Sequence, residues 1–268
     1  LFEKLLEQPV GTQEALEQLV GRIIKSRSDA KKNKNIILRR QLLDYGRYGE
    51  LNPSADVLSS EELSNVKVEE LMKWIQDLSN YPHRVLYYGN KNETELSQLI
   101  TTYHKTPDTF LELNQVDSKY IEKDYDTQNV FWTPFDMVQT EIILLSKQEL
   151  LDHSKTAAIN LFNQYFGGGM NSIVFQEIRE AQGLAYSVYS TYNQASRPDR
   201  SDYLLSYIGI QSDKQEEALS SMFNLINNLP ESPQAFEIAK QAILNKIESE
   251  RITKSRILYS YLVAEKKG

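Results

Sequence analysis

The 268-residue sequence contains no cysteine. That excludes disulfides, cysteine metal sites and thiol chemistry, and it leaves the redox compartment undecided. No apolar run approaches the roughly 20 residues a membrane helix needs, so no membrane span is expected. Histidine is scarce. His83, His104 and His153 are the only three, and they fall in different predicted elements. None is part of a His-Glu-x-x-His pattern, and each reads as a surface residue of a loop or helix end. Positive charge is also in deficit, with 30 Lys and Arg against 37 Asp and Glu, a net charge of −7. No nucleic-acid surface is expected, and Lys31, Lys32, Lys34, Arg39 and Arg40 read as a local solvated face. Gly167-Gly-Gly169 is not followed by Gly-Lys-Ser/Thr and lacks the strand-first dinucleotide pattern. Ser172 has no Gly-x-Ser-x-Gly context.

What remains is a composition ordinary for a globular chain, 40% apolar, 25% charged and 10% aromatic, with sixteen scattered Tyr. The length suits one large or two modest domains. Residues 1 to about 28 carry helical spacing interrupted at Pro9 and Gly11, with Thr12 as a cap. A second helix is expected over Ile36 to Tyr48, a short one capped by Ser60, and another over Lys67 to Leu78. Arg84 to Tyr88 reads as a strand and Asn92 as the cap of a helix to about Tyr103. Thr106 to Asn129 is polar, broken by Pro107, and reads as a linker. Strands are then expected at Gln139 to Ser146, Leu184 to Tyr192 and Tyr203 to Gln211. Helices are expected at Thr156 to Phe166, at Ser212 to Asn228, and from Ser232-Pro233 onward, with a break near Thr253 to Ser255. The chain opens on Leu1 and closes on Val263-Ala-Glu-Lys-Lys-Gly268 without a signal peptide, and both ends read as cut, as in a fragment.

The densest signal runs from Tyr165 to Tyr186. Gly167, Gly168 and Gly169 form a breaker where the chain turns or another backbone comes close. Asn171 or Ser172 is expected to cap a helix of about three turns, with Ile173, Val174, Phe175 and Ile178 on its apolar face. Gly183 stops it. Arg179 lies one turn before the helix end and Tyr186 opens the following strand. Both side chains are donors that suit a carbonyl oxygen or a developing oxyanion. Arg179 also reads as a cation covering a helix end, and Tyr186 as a sheet tyrosine.

The run Gly-Gly-Gly-Met-Asn-Ser-Ile-Val-Phe-Gln-Glu-Ile-Arg-Glu-Ala-Gln-Gly-Leu-Ala-Tyr-Ser-Val resembles the signature of the C-terminal half of the insulinase (pitrilysin) family of zinc metallopeptidases. Ser26-Arg-Ser-Asp-Ala30, Tyr48-Gly49 and Tyr87-Tyr-Gly89 match that family more loosely. The resemblance implies an α+β fold of two insulinase-family-like domains, helices packed on a mostly antiparallel or mixed sheet, with the first domain incomplete. Residues 1–125 would be the rear part of one such domain with its linker. Residues 126–268 would be a second domain, C-terminally truncated, carrying the Arg/Tyr motif. Arg179 would contact the scissile carbonyl or nearby substrate backbone, and Tyr186 would donate to the oxyanion. Tyr192, an even number of residues further on, shares the face of Tyr186 in a regular strand and would line a peptide groove. Tyr189 would fall on the opposite face and reach that groove only if the strand is bulged or buried on neither side. Ordinary strand packing is the alternative for both.

The family's zinc site requires His-x-x-Glu-His on a helix and a distant Glu, which this chain lacks. The resemblance therefore implies zinc in the full-length enzyme, with none bound to this chain. The chain alone is expected to be inactive. Its partners would be a peptide or unfolded polypeptide substrate and an N-terminal catalytic half, in cis or as a separate chain. A non-catalytic companion or structural subunit of the same family is the alternative. A soluble protein of the cell envelope, periplasm or cytoplasm fits equally.

Overall fold

A computed structural model describes residues 2–113 and 119–267. The middle of the expected linker, 114–118, and the two terminal residues lie outside the described residues. The fold divides into two compact units, neither continuous in sequence. One is drawn from Leu1–Lys32, Val57–Lys119 and Ile252–Gly268, the other from Asn33–Asp56 and Tyr120–Arg251.

The first unit is helical: Phe2–Glu7, Gln13–Ala30, Ser60–Asn65, Val68–Asp77, Glu93–Tyr103 and Lys254–Lys267. Its starts follow cap chemistry. Thr12 accepts from Ala15 N at 3.2 Å, and Asn92 accepts from Glu95 N at 2.9 Å. Ser59, not Ser60, caps the third helix. It forms a capping box with Glu62, which lies three residues after Ser59 as that motif requires. Arg84 to Tyr88 is not a strand and has no ladder partner among the described residues. The Tyr87 side chain instead serves the turn that follows, its Oη accepting from Lys91 N at 3.1 Å.

The second unit is built on a three-stranded antiparallel sheet, with helices packed against it, so the fold is α+β. The strands β1 (Gln139–Leu150), β2 (Ala185–Asn193) and β3 (Ser201–Gln211) lie in the order β1-β3-β2. β3 is central and buried on both faces, apart from Leu204 and Gln211, so its polar/apolar alternation does not report a solvent face. One sheet face presents Ile142, Leu144, Ala185, Val188, Ile208 and Ile210. These pack with Phe166, Val174, Ile178, Ala218, Met222 and Ala239 from the helices Thr156–Phe166, Phe175–Ala181, Gln215–Asn227 and Pro233–Ser249. Each fully buried aliphatic side chain contributes about 1.5–3 kcal/mol by leaving water.

The opposite face is crossed by a helix that runs from Lys34 through Tyr48, with π-helical geometry over Ile37–Leu42. Three of its cations meet that face. Lys34 Nζ lies 2.6 Å from Glu141, Arg39 Cζ stacks 4.3 Å over the Tyr207 ring, and Arg47 Cζ lies 4.5 Å over Tyr203. Arg39 stays exposed, as its clustering suggests, and the Lys34 side chain is 41% exposed, but both heads also contact that face. The guanidinium and ammonium heads find an aromatic and acidic surface that is distant in sequence.

Candidate functional site

The turn at Gly167-Gly-Gly169 sets the geometry of the motif. The helix Thr156–Phe166 ends at Gly167, whose backbone lies against β2. A Cβ there would sit 2.0 Å from Ser190 O and 2.4 Å from Ser190 N. This is the close backbone approach for which glycine is used. Gly169 has φ +97°, a conformation that L side chains rarely adopt. The turned Gly169 carbonyl takes the hydroxyl of Ser172, which donates to it at 2.7 Å. Ser172 therefore does not cap the next helix as expected, because its side chain is committed backward to the glycine turn.

That next helix is shorter and wider than expected, with π geometry over Phe175–Ala181. Its end is closed by Gln182 N donating to Glu177 O at 3.2 Å and Leu184 N to Ile178 O at 3.0 Å. Gly183, at φ +61°, makes the left-handed turn between them. Arg179 and Tyr186 stand on the two arms of this reversal. The Arg179 side chain is about half exposed. Its Cζ lies 4.8 Å over the Phe175 ring, and its Nε is 3.8 Å from Glu180 Oε1. Among the described residues it makes no hydrogen bond to a neighbour, and none joins it to Tyr186.

Tyr186 stands out of the ladder. Ala185 pairs with Ile210 and Ser187 with Gly209, so Tyr186 is the extra residue of a β-bulge. Its side chain is 51% exposed, and its Oη accepts from Gln211 Nε2. The bulge removes one step of the strand's two-residue period. Tyr192 therefore falls on the helix-packed face, and Tyr189 on the face of Tyr207 and Gln211, the reverse of a regular strand. Tyr189 stacks on Tyr207 with ring centroids 5.2 Å apart, and its Oη accepts from Arg39. Tyr192 packs edge-on to Phe162 at 6.5 Å. Its backbone is pinned by Asn163, whose Nδ2 donates to Tyr192 O at 2.9 Å and whose Oδ1 accepts from Tyr192 N at 2.6 Å. Burial, then the charge of Asp202, pushes the Tyr192 phenol up. Burial, then Glu141, does the same to Tyr207.

The three histidines do not form a metal centre. His83 and His104 meet, with Nε2 atoms 2.6 Å apart, but the carboxylate at the pair, Glu3, lies 3.0 Å from the far nitrogen of His104. His153 is in the turn His153–Lys155. Among the described residues, no group of three or more His, Asp or Glu side chains is disposed to hold a metal ion. The described donor set does not fit a zinc site.

Comparison with known proteins bears on the same segment. Residues 63–243 match the family described as the peptidase M16 inactive domain. The chain belongs to that family. This peptidase M16 inactive domain is 25% identical, over 186 residues, to an uncharacterized zinc protease of Bacillus subtilis, covering 62% of this chain and 43% of the relative. It superposes on a protease of Helicobacter pylori with a TM-score of 0.68 at 14% identity, over 98% of this chain and 65% of that one. It superposes on the peptidase M16 inactive domain of Pseudomonas fluorescens with a TM-score of 0.62 at 15% identity, over 97% and 61%. At those identities the two structures speak for the fold. The chain spans less than two thirds of each. Zinc and peptide hydrolysis thus attach to the M16 family as a whole, and the domain matched here is the one its family calls inactive. No helix among the described residues is long and apolar enough to cross a membrane. Gln211, Arg39 and Asn163 had no signal in the sequence. Their partners lie 25, 150 and 29 residues away.

Proposed function

We propose that this M16 inactive domain is the substrate-binding half of a zinc metalloendopeptidase, with zinc and general base supplied by an N-terminal catalytic half in cis or on another chain. The observation that carries the reading is Tyr186. A bulge lifts it from the ladder, and its oxygen is held by Gln211, which leaves its own proton without an acceptor among the described residues. A phenol so placed donates to an oxyanion without giving up an internal bond. Arg179, half exposed and free of hydrogen bonds to its described neighbours, would hold the substrate carbonyl or backbone from the other arm of the reversal. Losing one such donor typically lowers the rate about 10²–10³-fold. The substrate would be an extended peptide or unfolded polypeptide, along which Tyr189 offers an aromatic surface. For Tyr192 the contacts with Phe162 and Asn163 support a packing role.

The family's description as an inactive domain favours a second reading, a non-catalytic companion or structural subunit. Mixing separates the two. The chain is assayed on a panel of unfolded peptides with zinc, alone and after adding a zinc-bearing catalytic half. Cleavage only on mixing supports the first reading. Association of the halves without cleavage supports the second.

A further inference from the structure

We infer that Gln211 is a positioning residue for Tyr186, an inference that rests on the reading of Tyr186 as an oxyanion donor. Gln211 is fixed in the sheet. It pairs with Gln139 across β1 at the last rung of the β1/β3 ladder, next to Ile210, which is fully buried. Tyr186 is not fixed in this way. It has no rung of its own, and its ring is half exposed. Among the described residues, the one hydrogen bond that orients the phenol is the amide of Gln211 donating to Oη. Its direction matters. An oxygen that accepts from an amide keeps its own O–H as the remaining donor, and that donor is strengthened when the oxygen is already an acceptor. Gln211 therefore does two things: it sets the ring's position and it keeps the phenol proton pointed away from the protein. The Tyr207 phenol lies over Gly209, two residues before Gln211, where a Cβ would meet its Oη at 2.9 Å.

The direction of the bond can be tested by charge. Gln211→Leu removes the donor, and Gln211→Glu replaces it with a carboxylate that only accepts. In the second case the phenol turns its proton onto the new carboxylate, and the donor is lost to substrate. In the enzyme reconstituted with its catalytic half, Gln211→Leu is expected to lower kcat about 10–10²-fold, the range a misplaced group costs. Gln211→Glu should lower it about 10²–10³-fold, as far as Tyr186→Phe. KM should stay within about twofold in both, because the Gln211 amide makes no other hydrogen bond among the described residues. Adding Gln211→Glu to Tyr186→Phe should cost nothing more.

A second readout needs no activity. 3-Fluorotyrosine placed at position 186 of this chain reports the ring's surroundings by 19F NMR at neutral pH. Gln211→Leu and Gln211→Glu should each move its resonance, and in opposite directions. If both variants leave the resonance in place, Gln211 does not position Tyr186 and the inference is overturned, whatever the enzyme does. If Gln211→Glu keeps the parent kcat while Tyr186→Phe loses it, the bond runs the other way and the inference also falls. If the resonance moves but the mixture is inert even with Tyr186 intact, the contact stands and the oxyanion reading fails.

Discussion

Gly167→Ala should destabilise the sheet unit by about 2–4 kcal/mol, more than its single methyl group suggests. Gly167 has φ −135° and ψ −1°, a negative φ outside the left-handed region that favours glycine, so the expected effect rests on sterics. The new Cβ would lie 2.0 Å from Ser190 O and 2.6 Å from Ser190 C. Reaching the 3.4 Å edge of ordinary contact needs a separation of about 1.4 Å more. Both groups are backbone, so no rotamer change relieves the clash. Forcing a methyl into packed structure costs about 1–3 kcal/mol. Moving β2 away also lengthens the Ser190 N to Gly167 O bond, already 3.4 Å, and disturbs the buried Ser190–Ser206 hydroxyl pair at 2.8 Å. A lost hydrogen bond adds about 1 kcal/mol. Thermal unfolding followed by circular dichroism should then fall by about 5–15 °C for a unit of this size. Gly21→Ala is the matched control. A Cβ there has nothing within 4 Å, and the site is inside the helix Gln13–Ala30, so about 0.5–1 kcal/mol is gained. A Gly167→Ala chain within about 0.5 kcal/mol of the parent would refute the packing argument.

Tyr203→Phe should be neutral or stabilising by up to about 1 kcal/mol in urea, because the phenol oxygen is buried without a hydrogen-bond partner among the described residues. Burial raises the Tyr203 phenol above its usual value near 10, and Tyr125, Tyr192 and Tyr207 are raised in the same direction. The folded chain holds these protons more tightly than the unfolded one. Their contribution is therefore whole below about pH 10 and is lost as pH rises beyond it. A chain whose stability does not fall above pH 10 would contradict this, and Tyr203→Phe should flatten the fall. Asn163→Ala unpairs both backbone groups of Tyr192 and should cost about 1–3 kcal/mol, with faster amide exchange at Tyr192. Arg39→Ala removes the stack on Tyr207 and the bond to Tyr189. It should cost about 1–2 kcal/mol in the same urea assay, with a lysine replacement recovering only part.

Local chemistry made much of the fold legible. Thr12, Asn92 and Ser232 cap where their side chains and the following pattern say they should, and the helix Thr156–Phe166 has the limits its apolar spacing implies. Several of the failures share a cause, a partner distant in sequence. Arg84 to Tyr88 has strand composition, but a strand exists only with a neighbour to pair with. Lys34 and Arg39 remain partly solvated, yet their contacts with Glu141 and Tyr207 could not be read from their own neighbourhood. Ser172 is a good cap residue by type, yet the Gly169 carbonyl claims it first. At the candidate site, the placement of Arg179 and Tyr186 on the two arms of a reversal at Gly183 was legible from the run of residues. The faces of Tyr189 and Tyr192 were not, because one bulged residue inverts a two-residue period and nothing in Ala185-Tyr-Ser187 announces it.

The most direct measurement is the single-turnover rate of peptide cleavage by the reconstituted enzyme with Tyr186→Phe. The phenyl ring keeps the packing and removes only the hydroxyl. The account predicts a rate about 10²–10³-fold lower, with peptide affinity and association of the halves unchanged. A Tyr186→Phe enzyme that cleaves at the parent rate would contradict it and return Tyr186 to the surface of the sheet.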